Sequence, residues 1–134
     1  MTAVGVIGAG AWGTALAVQL VRNGCQVSLW GRSAQHLSKL ESDKENQRYL
    51  SGVTLPDQLR FCADLKQLAR EYEHLLMVVP SHSFRSILRE IKSELGNNSR
   101  ISWATKGLEL DSGKFLHTVL EQDCLLYTSD AADE

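Results

Sequence analysis

The chain has 134 residues, 43% of them hydrophobic and 22% charged, with a formal net charge of -2. That length supports one hydrophobic core, and 14 basic residues scattered among 16 acidic ones form no basic face for a phosphodiester backbone, so nucleic acid is set aside as a partner. The longest apolar run in the second half, Leu75 to Val79, is too short for a bilayer span and the N-terminus has no basic region with a cleavage site, so a soluble cytoplasmic protein without membrane insertion is expected.

In chain order, Val4 to Ile7 predicts a first strand and Thr14 to Asn23 a first helix, with Leu16, Leu20 and Val21 at helical spacing and Gly24 as its stop. Gln26 to Trp30 predicts a second strand, and Ser33 an N-cap for a helix running to about Ser42, because its hydroxyl can accept from unpaired amides. Asp43 to Pro56 reads as a polar connection to a short third strand near Leu59 to Cys62. Asp64 to Glu73 predicts a helix and Leu75 to Val79 a strand buried on both faces and ended by Pro80, with Ser81 and His82 as caps for the next helix. Ser83 to Leu95 is amphipathic through Phe84, Ile87, Leu88, Ile91 and Leu95; after the breaker GNNS, Arg100 to Ala104 predicts a fifth strand and Lys114 to Gln122 a further helix.

This alternation predicts an α/β fold, a Rossmann-like doubly wound and mainly parallel sheet, with strand order 3-2-1-4-5. In such sheets ligands sit at the carboxyl ends of the strands beside the point where the order reverses. The segments to watch are therefore GAGAWG after the first strand, PSHS after the fourth and TKGLE after the fifth.

Gly8, Gly10 and Gly13 form a G-x-G-x-x-G pattern between a strand and a helix, with a second strand close behind, which is the context that a dinucleotide fingerprint requires. Gly8 is expected to permit the tight turn, Gly10 to let the backbone approach a pyrophosphate, and Gly13 to let the helix pack closely. The second strand ends in SLWGRS, with no acid and with Arg32; an acid there would hold a ribose 2'-hydroxyl, whereas an arginine accepts a 2'-phosphate. NADP(H) is therefore expected to be preferred, with NAD(H) also usable. Lys106, followed by Gly107, stands where a cation could meet a phosphorylated substrate or the cofactor, or simply face solvent. Cys25, Cys62 and Cys124, like the four histidines, lack metal-ligand spacing, so no metal is expected.

GAGAWGTALA (residues 8–17), LWGR (29–32), YLSGVTLP (49–56), VVPSHSF (78–84) and WATKGLE (103–109) together resemble the bacterial type of NAD(P)-dependent glycerol-3-phosphate dehydrogenase, over residues 3–122. The resemblance implies interconversion of dihydroxyacetone phosphate and sn-glycerol 3-phosphate for glycerophospholipid synthesis. It places Ala11, Trp12, Arg32 and Tyr49 against the cofactor, and Lys106 against both cofactor and substrate. Position 11 is often serine in that family; with Ala11 a hydroxyl is lost and backbone amides remain. The family continues into a helical domain that carries the proton-transferring lysine, so no catalytic residue is expected in this chain, which should bind cofactor at most; a homodimer is one option for the intact protein. The tail CLLYTSDAADE (124–134) resembles translated sequencing adaptor, leaving residues 1–123 as an incomplete dinucleotide-binding domain. Two other readings stand beside this one: another dehydrogenase with a similar first domain, of hydroxyacyl-CoA or ketopantoate type, and a nucleotide-sensing module without chemistry.

Overall fold

A computed structural model describes residues 2–104. In chain order the elements are β1 (Ala3–Ile7), α1 (Ala11–Arg22), β2 (Gln26–Trp30), α2 (Ala34–Asp43), β3 (Glu45–Asn46), β4 (Leu50–Thr54), β5 (Arg60–Phe61), α3 (Leu65–Glu71), β6 (His74–Met77), α4 (Ser81–Ile91), a 3-10 turn (Lys92–Glu94) and β7 (Arg100–Trp103).

Five strands form one sheet in the order β5-β2-β1-β6-β7, and every pairing is parallel. This is the order expected from the sequence. The register sets Trp30, Ile7, Met77 and Trp103 in one row at the carboxyl edge, so the loops after β1, β2 and β6 leave the sheet side by side.

Side-chain alternation along the strands fills both faces. Ile7, Leu75, Met77 and Ile101 pack with Leu68 of α3 and with Phe84, Ile87, Leu88 and Ile91 of α4, whereas Val6, Val27 and Leu29 pack with Ala17 and Val18 of α1 and Leu37 and Leu40 of α2. The four α4 residues are almost wholly buried, each worth roughly 1.5–3 kcal/mol of transfer before the entropy of ordering it.

Ser33 caps α2 as expected, accepting from the His36 amide at 3.1 Å, and Asp64 caps α3 by accepting from the amides of Lys66 and Gln67. Three expectations are corrected. The first helix starts at Ala11 rather than Thr14, because Gly10, in extended conformation, is its N-cap. Pro80 is the N-cap of α4 with no side-chain hydrogen bond, so Ser81 and His82 open the helix instead of capping it. The polar connection from Asp43 contains an antiparallel hairpin, β3 with β4, a short-range pairing hidden by its polar composition. The expected helix at 114–122 and the tail from Cys124 lie outside the described residues. Among the described residues no helix is long and apolar enough to cross a membrane.

Candidate dinucleotide site

The site begins where β1 ends. The Gly8 amide donates to the Trp30 carbonyl at 2.8 Å, tying the turn to the end of β2. Gly8 has φ +127, which side chains rarely adopt, and a Cβ there would run into the Val78 carbonyl oxygen. A Cβ on Gly13 would run into the carbonyl oxygen of Gly8 itself. Gly10 is different: a Cβ there would meet nothing within 4 Å among the described residues. Two glycines are thus demanded by protein packing, and the third leaves space that the described residues do not fill.

No side chain caps α1 at Gly10. Its first-turn amides, which have no intrahelical acceptor, and the positive end of the helix dipole are therefore available to an anion.

The other side of the cleft is built from side chains. Gly31, at the end of β2, is buried so closely against Ala9 that a Cβ on it would come within 2.7 Å of the Ala9 Cβ. Arg32 follows, exposed, with its guanidinium 6.0 Å from the centre of the Trp30 ring. From α2, the His36 ring stands edge-on to Tyr49 at 5.4 Å, and its Nε2 lies 3.4 Å from the Ala9 carbonyl oxygen, to which it donates. From the β3–β4 hairpin, Arg48 lies over the Tyr49 ring at 5.0 Å.

Together these residues enclose a cleft of about 360 Å³, with Gly8, Gly10, Trp30, Arg32, Arg48 and Tyr49 in its lining and Ser83 and Ile87 of α4 closing its side. Among the described residues no carboxylate lines this cleft, and neither Arg32 nor Arg48 has a carboxylate partner. Past Gly10, a shallower depression of about 300 Å³ is lined by Ala11, Trp12, Gly13, Pro80, Ser81 and Ala104. A larger hollow of about 860 Å³ lies among Arg22, Cys25 and Arg60, at the amino ends of the strands and away from Gly8, Gly10 and Gly13, so size does not mark the site.

The structure therefore brings Gly8, Gly10, Arg32 and Tyr49 onto one cleft, and Ala11, Trp12 and Gly13 onto the adjoining depression. Lys106 lies outside the described residues, although Ala104, two residues earlier, lines that depression. Sequence reasoning missed Trp30, Gly31, His36, Asn46 and Arg48. For Asn46 the sequence carries no signal, since an asparagine among Glu45, Gln47 and Arg48 reads as loop; only the hairpin shows that it is buried.

The family model for the N-terminus of NAD-dependent glycerol-3-phosphate dehydrogenase matches residues 3–129. The chain belongs to this family. It is 47% identical over 122 residues to the NAD(P)+ glycerol-3-phosphate dehydrogenase of Pseudoalteromonas translucida (strain TAC 125), which covers 91% of this chain and 36% of that protein. The solved glycerol-3-phosphate dehydrogenase of Coxiella burnetii superposes with a TM-score of 0.85 at 35% identity, over 92% of this chain and 38% of that one. The chain thus spans little more than a third of the length of either relative. A prephenate dehydrogenase from A. aeolicus reaches a TM-score of 0.67 at 15% identity, over 92% of this chain and 38% of that one, a likeness of fold alone. Family membership does not favour the alternative of a sensing module.

Proposed function

We propose that this chain is the cofactor-binding part of an NAD(P)-dependent glycerol-3-phosphate dehydrogenase, an oxidoreductase that interconverts dihydroxyacetone phosphate and sn-glycerol 3-phosphate. The observation that carries the reading is the open space over Gly10 beside the uncapped start of α1. A diphosphate fits there: it needs close approach to main-chain amides, and only a residue without a side chain grants it.

The adenosine end belongs in the cleft beside Arg32, Arg48 and Tyr49. A 2'-phosphate suits two guanidiniums that have no carboxylate partner among the described residues, whereas a bare 2'-hydroxyl would use an acid that the described lining of the cleft lacks. NADP(H) is accordingly preferred and NAD(H) accepted. The nicotinamide end belongs at the depression lined by Ala11 and Trp12, the indole of Trp12 being 60% exposed. When bound, the nicotinamide supplies or takes up the hydride.

Reduction of a ketone also requires a proton donor within hydrogen-bond reach of the oxygen. The described residues around the depression include no titratable carboxyl, imidazole or amine. Lys106 is assigned to cofactor and substrate contact and the proton transfer to a residue outside those described at the depression, so the chain, which spans about a third of its relatives' length, is expected to bind without turning over.

Titration of the purified chain tests this. Trp30 lines the cleft and Trp12 the depression, so NADPH should quench tryptophan fluorescence saturably and more tightly than NADH, with no oxidation of NADPH on adding dihydroxyacetone phosphate. Absence of saturable quenching overturns the cofactor reading, tighter NADH binding overturns the preference, and turnover overturns the assignment of proton transfer.

A further inference from the structure

We infer that Asn46 is a positioning residue for the dinucleotide: acting through the Ala9 carbonyl, it sets the direction of the Gly10 amide that the diphosphate meets. The inference rests on the dinucleotide reading above. Asn46 is fully buried and does not line the cleft, so it acts only through its neighbours.

Its side-chain amide donates to the Ala9 carbonyl oxygen at 3.1 Å and to Thr14 Oγ1 at 2.9 Å, while Oδ1 accepts from the Tyr49 amide at 3.2 Å. The neighbours force this orientation, because a carbonyl oxygen can only accept and a backbone N–H can only donate. The Ala9 oxygen also receives Thr14 Oγ1 and His36 Nε2, each at 3.4 Å. Three donors from α1, α2 and the hairpin therefore hold one carbonyl on the inner side of the glycine turn.

A planar trans peptide carries its C=O and N–H on opposite sides, and no described peptide bond is cis. Holding the Ala9 oxygen inward therefore turns the Gly10 N–H outward. Through the Tyr49 amide, the same side chain seats the hairpin segment that carries Arg48 and Tyr49 against that turn. One buried asparagine thus couples the diphosphate end of the cleft to its adenosine end.

Asn46→Asp is the discriminating variant. It is nearly isosteric and keeps the acceptor for Tyr49, but it sets a carboxylate against the Ala9 carbonyl; a protonated carboxyl regains a donor. NADP+ affinity should fall about tenfold at about pH 8, and the deficit relative to wild type should close as the carboxyl protonates toward about pH 5. Adenosine 2'-phosphate, which lacks the diphosphate, should weaken less than about twofold because the Tyr49 bond is kept. The Gly10 amide resonance should move in the free variant.

If the wild type does not bind NADP+, the dinucleotide reading falls and this inference with it. If the wild type binds and Asn46→Asp binds as tightly at every pH, or loses both ligands equally, the inference alone falls. Should the variant not fold, the wild type decides: slowly exchanging Asn46 side-chain amide protons and a Gly10 amide that shifts on NADP+ addition support the inference, and rapid exchange or an unmoved Gly10 overturns it.

Discussion

The two walls of the cleft are built on opposite plans. The inner wall, Gly8 to Gly13 with Val78 behind it, is main chain packed on main chain and continuous in sequence. The outer wall consists of side chains, Arg32 from the end of β2, His36 from α2, and Arg48 and Tyr49 from the hairpin, with both arginines and Tyr49 exposed. Backbone amides recognise a diphosphate whatever nucleotide carries it, whereas exposed cations can distinguish a phosphate from a hydroxyl. On the proposed reading, the inner wall supplies affinity common to dinucleotides, and the outer wall the choice among them.

The largest effect is expected where the inner wall meets itself. Alanine is the better helix former by about 1 kcal/mol, yet Gly13→Ala drives a Cβ into the Gly8 carbonyl oxygen, a backbone atom that cannot rotate away. Stability should fall by about 3 kcal/mol or more, seen as a lower midpoint in urea. A variant with the wild-type midpoint would show that α1 can back away from the turn at no cost, and the distinction between walls would lose its basis.

Gly10→Val tests the same turn from its open side. The backbone at Gly10 is extended, at φ -78 and ψ -166, and its Cβ position is free of protein atoms. The fold should survive, with a stability change within about 1 kcal/mol from replacing a tolerated N-cap by a poor one. NADPH binding should weaken roughly a hundredfold, since the branched side chain occupies the space of the phosphates. Titration and urea unfolding of this one variant separate binding from folding; unchanged affinity in a folded protein would remove the diphosphate from the inner wall.

How far the sequence could be read depends on the same division. The inner wall was legible because its requirement is local: a turn needing φ +127 and a helix needing contact with that turn both call for glycine at fixed spacing. The sheet order was legible too, because apolar runs of strand length alternate with helical periods. The hairpin was not, since β3 has only two residues, β4 has none buried, and their pairing buries Asn46 without any apolar alternation to announce it. Arg48 and His36 stayed hidden for a related reason. Their place on the cleft depends on the end of β2, α2 and the hairpin converging on the Ala9 carbonyl and Tyr49, a coincidence in space with no spacing in sequence.

The smallest effects belong to the outer wall, and they rank its two arginines. Arg32 extends directly from β2 beside the anchored Gly31, and Trp30 beneath it is fixed by its indole N–H donating to the Ala63 carbonyl at 3.3 Å. Arg48 rides on the hairpin, stacked over the exposed ring of Tyr49. A charged hydrogen bond to phosphate held by the firmer base should contribute more, so Arg32→Ala should weaken NADPH binding by roughly tenfold. Arg48→Ala should weaken it by about threefold, the scale of an exposed and screened charge. NADH, which has no 2'-phosphate, should bind both variants as it binds the wild type, and added salt should shrink the NADPH difference. An equal loss of NADH and NADPH in Arg32→Ala would mean that the guanidinium supports the adenosine or the diphosphate, and selection between the cofactors would have to be sought in Arg48 alone.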